Sequence, residues 1–158
     1  MSDDLTLVLD RHIKASPANV WRCWTDAALL REWFAPKPVE TVEAEIDAAP
    51  GGRFYTLMRI PEMGDMAGEG CVLLAEPEKR LVTTNLMRAG FVPNEIGSGE
   101  MDFGFTTDIR LALEDGGTRY VATVYHATAE AKAVHEGMGF HDGWGAAAGQ
   151  LEELAASL

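Results

Sequence analysis

Four histidines are the residues of this chain best suited to acid–base chemistry, because a neutral imidazole can act as a general base near pH 7. His12 falls on the polar face of a strand pattern, His126 ends the last strand pattern, and His135 and His141 flank a glycine-rich break. That break could bring two imidazoles to the mouth of a cavity. None of the spacings is a recognised metal-ligand pattern, so the sequence predicts no metal site and leaves a catalytic histidine open.

Arg11 and Asn85 are polar residues at alternate positions of their strand patterns that are otherwise filled by apolar residues. Arg11 alternates in step with Leu7 and Ile13, so its guanidinium should point inward, where it must be paired. One interpretation is an internal ion pair with a carboxylate that ties the strand to its neighbours. The other is an anchor for a ligand carboxylate or carbonyl. We expect the ion pair, and Asn85, which shares the parity of Met87, raises the same question.

Several large apolar side chains fall in segments without a regular pattern. They are Met63 and Met66 in the loop predicted over residues 61–68, and Phe91, Met101, Phe103 and Phe105 in the long stretch 88–105. Flexible apolar loops commonly gate a cavity or form a partner surface. Met138 and Trp144 lie near the start of the last helix, where such residues serve either the core or a ligand.

The elements that must position these residues begin with one strand and two short helices. Apolar and polar residues alternate from Leu5 to Ile13, which is the period of a half-buried strand. Ser16 followed by Pro17 predicts a capped helix start, and Asp26 predicts a second one. Prolines at 36 and 38 end the second helix.

Six further strand patterns follow, and then a long helix. The strands are predicted over residues 42–46, 54–60, 71–75, 81–87, 109–113 and 118–126. Met58 lies on the alternating face of the second of these. Phe140, Trp144, Leu151 and Leu154 recur at helical spacing near the C-terminus. A long amphipathic helix after a meander must bury its stripe on the sheet, and a strongly curved sheet leaves a gap beneath it.

Composition limits the class of protein and of partner. The 158 residues are 47% hydrophobic and 24% charged, as in an ordinary globular protein, so we expect one domain over residues 1–158. A formal net charge of -12 argues against nucleic acid and anionic membrane as partners. The N-terminal stretch lacks a signal-peptide pattern, which predicts a cytoplasmic location. Cys23 and Cys71 are expected to be reduced core thiols.

The whole chain resembles the activator-of-heat-shock-protein-90-ATPase-like branch of the START-like (SRPBCC) superfamily. The stretches that carry the resemblance are Arg11-His12-Ile13, Ala15-Ser16-Pro17, Val20-Trp21, Trp33-Phe34, Pro50-Gly51-Gly52-Arg53-Phe54, Pro77-Glu78-Lys79-Arg80-Leu81, Gly117-Thr118-Arg119 and the closing run from His135 to Trp144. The resemblance implies an α+β helix-grip fold, in which a curved antiparallel sheet of about seven strands wraps around a long C-terminal helix. It also implies an apolar cavity, which members use to bind lipids or hormones, cyclise polyketides or assist dioxygenases.

The functional prediction is therefore a binding module for a small apolar or aromatic molecule, held between the sheet and the last helix without a cofactor. The expected ligand-contacting residues are Arg11, Met58, Asn85, Met87, Phe103, His126, Met138, His141 and Trp144. A cyclase- or hydrolase-like enzyme would use the same cavity with His126 or His141 beside Arg11 or Asn85. A third alternative is a chaperone-activator-like module that uses its apolar loops as a protein-binding surface. A homodimer is compatible with each alternative.

Overall fold

A computed structural model describes residues 5–96 and 103–158 of the chain, so Met101 lies outside the described residues. The elements in order are β1 (Thr6–Ile13), α1 (Pro17–Thr25), α2 (Ala27–Trp33), β2 (Glu40–Ile46), β3 (Arg53–Ile60), β4 (Gly64–Glu76), β5 (Arg80–Thr84), β6 (Met87–Arg88), β7 (Val92–Pro93), β8 (Phe105–Glu114), β9 (Gly117–His126), α3 (Ala129–Gly137) and α4 (Phe140–Ala156). This is the α+β helix-grip arrangement that the sequence predicts.

Both short helices begin at the predicted caps. The Ser16 hydroxyl accepts a hydrogen bond from the backbone N–H of Asn19 at 3.2 Å, and Pro17 occupies the first helical position. The Asp26 carboxylate accepts from the N–H groups of Ala28 and Leu29. In each case the side chain satisfies backbone donors that have no partner within the helix.

Seven described strands form one curved antiparallel sheet in the order β1-β9-β8-β5-β4-β3-β2, while β6 and β7 form a separate pair. The loop predicted over residues 61–68 is wrong in its second half, because β4 already begins at Gly64 and pairs with β3 as far as Ile60. Glycines and charges give this part of β4 no apolar alternation. Backbone pairing with β3 makes it a strand despite its weak intrinsic preference.

Helix α4 packs across the sheet and supplies part of the main core. Phe140 and Leu151 are fully or almost fully buried, and Trp144 and Leu154 pack at the core edge, as predicted. The Gln150 amide donates to the carbonyls of Trp33 and Ala35, which ties α4 to the end of α2.

Helix α3 is an element that the sequence analysis did not predict. It begins after Thr128, whose hydroxyl accepts from the N–H of Ala131 at 3.0 Å. Cys23 and Cys71 are both buried and free, as expected. No helix among the described residues is long and apolar enough to cross a bilayer.

Candidate functional site

A cavity of about 330 Å³ lies between the middle strands of the sheet and the helices that cover it. The strands β3, β4, β5 and β8 form its floor, and residues from α1, α4 and the segment after α2 form its walls. Its lining comprises Trp24, Phe34, Phe54, Thr56, Met58, Met66, Ala67, Gly68, Glu69, Gly70, Thr83, Thr84, Asn85, Asn94, Glu95, Ile96, Phe103, Phe105, Thr107 and Trp144.

One wall is a cluster of aromatic rings. The Trp24 ring centroid lies 6.0 Å from Phe34 and 6.3 Å from Phe54, and the Phe34 and Phe54 centroids are 5.8 Å apart. The Trp24 indole N–H donates to the hydroxyl of Tyr120 at 3.1 Å, which fixes the ring from behind. Burial raises the pKa of Tyr120, so the phenol stays neutral. The wall is therefore apolar, and the Trp24 ring is positioned by a hydrogen bond on its far side.

The floor is open because two residues of β4 have no side chain. Phe54, Thr56 and Met58 on β3 lie opposite Gly70, Gly68 and Met66 on β4. A Cβ added at Gly68 would meet only Thr56 atoms, with Oγ1 nearest at 3.3 Å. Larger residues at 68 would occupy the space above the sheet, so this glycine contributes directly to the cavity volume.

Asn85 lines the cavity, but its amide is already hydrogen-bonded within the protein. Its Nδ2 donates to the Phe103 carbonyl at 2.9 Å, and its Oδ1 accepts from the Phe105 N–H at 2.9 Å. The Asn85 side chain therefore holds the backbone of the residues that lead into β8. This arrangement holds Phe103, which the sequence places in an irregular segment, against the cavity.

His126 and His135 form a buried pair beside the cavity rather than within its lining. His126 Nδ1 lies 2.9 Å from the Leu5 carbonyl oxygen, and its Nε2 lies 2.9 Å from Nδ1 of His135. A carbonyl only accepts, so a neutral His126 donates from Nδ1 and accepts the Nδ1–H of His135 at Nε2. Burial, and then the nearby His126, lower the pKa of His135 to about 4.

Aromatic rings enclose this histidine pair. The ring centroid of His135 lies 5.0 Å from Phe103, 5.5 Å from Phe105, 5.1 Å from Phe140 and 6.1 Å from Trp144. Three of these four rings also line the cavity. The pair thus supports one wall of the cavity from outside.

Arg11 lies outside the lining and forms the predicted kind of ion pair. Its Nη2 is 3.0 Å from Glu152 Oε1, and its Nη1 donates to the Gly145 carbonyl at 3.1 Å. The carboxylate partner belongs to α4, and the two side chains are 33% and 22% exposed, so the pair lies at the edge of the core and not in the interior that strand parity predicts. The backbone N–H of Lys14 and then Arg11 lower the pKa of Glu152.

Met58, Asn85, Phe103 and Trp144 are the predicted contact residues that the cavity brings together. Met87, Met138 and His141 do not line it. Met138, at the end of α3, is 48% exposed, and His141 has a 60% exposed side chain. For these three residues and for Arg11 and His126, ligand contact stays a prediction.

Sequence reasoning missed most of the lining. It included Phe54 and Thr56 in the strand predicted over residues 54–60 without assigning them to a site, and it did not single out Thr83 or Thr107. Counting alternate residues from Asn85 back to Thr83 would have found one of them. The described residues contain no group of three or more histidine, cysteine or acidic side chains that could hold a metal ion.

Comparisons with known proteins give a consistent family and fold. The sequence profile described as "Activator of Hsp90 ATPase homolog 1-like protein" matches residues 14–156. A solved structure from Nitrosomonas europaea is 37% identical with a TM-score of 0.92, over 99% of this chain and 97% of that one. A Rhodobacter sphaeroides protein is 24% identical with a TM-score of 0.83, over 100% and 97% of the two chains.

A third solved structure shares the fold at lower identity. The AHSA1-like protein from Aeromonas hydrophila is 19% identical with a TM-score of 0.71, over 97% of this chain and 93% of that one. No curated protein matches the chain significantly.

Proposed function

This chain belongs to the family of Activator of Hsp90 ATPase homolog 1-like proteins, and we propose that it binds a small, mostly apolar molecule between its sheet and helix α4. The observation that carries the proposal is the cavity of about 330 Å³, which lies within the range of roughly 300–1,000 Å³ typical of ligand pockets. A cavity of this size accommodates a molecule of one or two rings.

The lining supports an apolar ring-containing ligand. Aromatic rings from Trp24, Phe34 and Phe54 form one wall, while Phe103, Phe105 and Trp144 also contribute to the lining. Burying apolar area against such a surface is worth about 25 cal/mol for each Å² removed from water. Met58 and Met66 add side chains that adapt easily to different ligand shapes.

The enzyme alternative has less support because its polar pairs do not converge in the cavity. Arg11 is paired with Glu152, the Asn85 amide is bonded to backbone groups, and His126 is bonded to His135. The protein-partner alternative would need a filled core beneath a flat apolar surface. The cavity favours binding of a small molecule over both alternatives.

A fluorescence titration with N-phenyl-1-naphthylamine, an uncharged apolar probe, tests the proposal. We expect saturable binding to the wild-type protein and binding weakened at least about tenfold in Gly68→Val, because each 1.4 kcal/mol of lost contact is tenfold. Ala112→Val, on an exposed position of β8, is the control for added bulk and should bind as the wild type does.

Melting temperatures of the three proteins establish that each is folded at the titration temperature. Absence of saturable binding to the wild type, or equal binding by folded Gly68→Val, contradicts a ligand site in this cavity.

A further inference from the structure

We propose that the ligand of this cavity is uncharged and presents an alcohol, phenol or ketone oxygen to a pair of threonine hydroxyls on the sheet floor. This inference rests on the proposed binding function and specifies the chemical class of the ligand. It is carried by two independent observations, the hydrogen-bonding state of the floor threonines and the charges of the lining.

Thr83 on β5 and Thr107 on β8 are direct partners in the antiparallel register, and both line the cavity. They are only 7% and 4% exposed. Neither hydroxyl forms a hydrogen bond with any residue in the two described ranges, and the same holds for Thr56, which is 4% exposed on β3. Thr41 Oγ1 is the one fully buried side-chain oxygen without a partner among the described residues, so the hydroxyls of Thr83 and Thr107 remain accessible. A ligand that covered them without offering a hydrogen bond would leave them unsatisfied at a cost, whereas a ligand oxygen beside them avoids that cost.

Neighbouring polar groups of the floor are satisfied by the protein itself. The Thr84 hydroxyl donates to the Phe105 carbonyl at 3.2 Å, accepts from the Leu86 N–H at 3.1 Å and lies 3.0 Å from the Thr106 hydroxyl. Both ends of the Asn85 amide are bonded to backbone groups. The contrast shows that Thr83 and Thr107 differ from adjacent residues in having free hydrogen-bonding capacity.

The lining offers no counter-charge to an anion. Among its described residues there is no lysine, arginine or histidine. Glu69 is held by Arg53 through two bonds of 2.8 Å, while Glu95 is exposed and has no ion-pair partner in the described parts of the chain. A ligand carboxylate would lose its hydration beside these acids without a compensating cation, so an uncharged ligand is favoured over an anion. A cationic ligand gains little, because Glu69 is already paired with Arg53 and Glu95 is exposed to solvent.

A hydroxyl is the appropriate recognition group for such a ligand because it can both donate and accept. It therefore suits a ketone, which only accepts, and an alcohol or phenol, which does both. The aromatic wall would hold the ring system while the threonine pair fixes the orientation of its oxygen.

Three probes that share a ring system test the inference: naphthalene, 2-naphthol and 2-naphthoate. We expect 2-naphthol to bind about three- to tenfold more tightly than naphthalene, the gain of one ordinary hydrogen bond. We expect 2-naphthoate at pH 7.5 to bind more than about tenfold more weakly than 2-naphthol. Dissociation constants from isothermal calorimetry or ligand-observed NMR give these ratios.

The isosteric variant Thr83→Val/Thr107→Val separates recognition from folding. It should bring 2-naphthol to the affinity of naphthalene while naphthalene itself binds equally well or better. Thr123→Val, on β9 and outside the lining, is the matched control and should keep the wild-type preference. The single variants provide the same comparison if the double variant does not fold.

The outcomes distinguish this inference from the binding function on which it rests. If none of the three probes binds, the proposed function fails and this inference fails with it. If naphthalene binds but 2-naphthol gains nothing, or if the valine variants keep the preference, the cavity binds ligands and the threonine pair does not select them. If 2-naphthoate binds as tightly as 2-naphthol, the exclusion of anions is wrong.

Discussion

His126 Nε2 and His135 Nδ1 lie 2.9 Å apart in a buried hydrogen bond that joins the end of β9 to helix α3. The other ring nitrogen of His126, Nδ1, forms a hydrogen bond with the backbone carbonyl of Leu5. Leu5 is the first described residue, so the N-terminal end of the described structure joins the same hydrogen-bond network. At least one of the two rings must be neutral for this arrangement, because the bond between them needs an acceptor nitrogen and an imidazolium has none.

The stability of the protein should fall as the pH drops from 6.5 towards 4. The pKa of His135 is lowered from 6.5 to about 4 by burial and by His126, so within this window the unfolded chain binds more protons than the folded one. The contribution of neutral His135 is fully present above pH 6.5, and on the order of 3 kcal/mol should be lost by pH 4. Urea unfolding measured at intervals of half a pH unit gives the free energies of unfolding.

The variant His135→Asn should flatten that dependence, because an asparagine amide can still donate to His126 but does not titrate. His141→Asn is the matched control, since the His141 side chain is 60% exposed. A wild-type slope in His135→Asn would assign the acid sensitivity to another group. The effect of Glu152 on stability can be distinguished from that of His135 by its pH range. Because the pKa of Glu152 is lowered in the folded protein, its stabilising contribution is lost only below its ordinary pKa of 4.5.

The Arg11–Glu152 ion pair should contribute modestly to stability. The side chains are 33% and 22% exposed, so Arg11→Leu should cost about 1 kcal/mol rather than the roughly 3–5 kcal/mol of a fully buried pair. Glu152→Ala should cost more, about 1–2 kcal/mol, because it also removes the 2.7 Å bond from the Lys14 N–H. Denaturant unfolding of both variants and of the double variant measures the coupling.

An unchanged unfolding midpoint in Arg11→Leu, combined with weaker binding of a carbonyl or anionic probe, would contradict the structural role. It would move Arg11 into the binding site despite its pairing with Glu152.

Leu151→Ala should destabilise the protein by about 2–5 kcal/mol, because Leu151 is completely buried in the main core. Glu153→Ala changes an exposed neighbour on the same helix and should stay within about 0.5 kcal/mol of the wild type. Thermal and urea unfolding give both values. Similar stabilities for the two variants would mean that α4 does not pack on the sheet as described.

Gly70→Ala should destabilise the sheet beside the cavity. A Cβ at this position would lie 2.6 Å from the Thr84 carbonyl oxygen, so β4 and β5 must move apart, at a cost of about 1–3 kcal/mol. Gly137→Ala at the end of α3 meets nothing within 4 Å and should be neutral or stabilising. Melting temperatures of the two variants measure this difference. A Gly70→Ala protein as stable as Gly137→Ala would contradict the close contact between β4 and β5 at this position.

The sequence by itself determined most of the elements and the fold class. Alternation from Leu5 to Ile13, the cap residues Ser16 and Asp26, and the stripe through Phe140 and Leu151 are local patterns, because backbone sterics and burial of one face act over a few residues. The strand character of residues 64–70 and helix α3 escaped prediction. In the first case pairing with β3 outweighs local preference, and in the second a single threonine cap precedes a weakly apolar segment.

Only the tertiary structure decided which of the chemically capable residues share a site. Asn85 lies just beyond the end of β5, and its predicted strand parity does not reveal the bonds that its amide forms, since Phe103 and Phe105 lie far away along the chain. The same holds for Thr83 and Thr107, which are 24 positions apart in sequence and become partners through the register of β5 and β8. Free hydrogen-bonding capacity depends on every neighbour at once, and those neighbours are brought together only by folding.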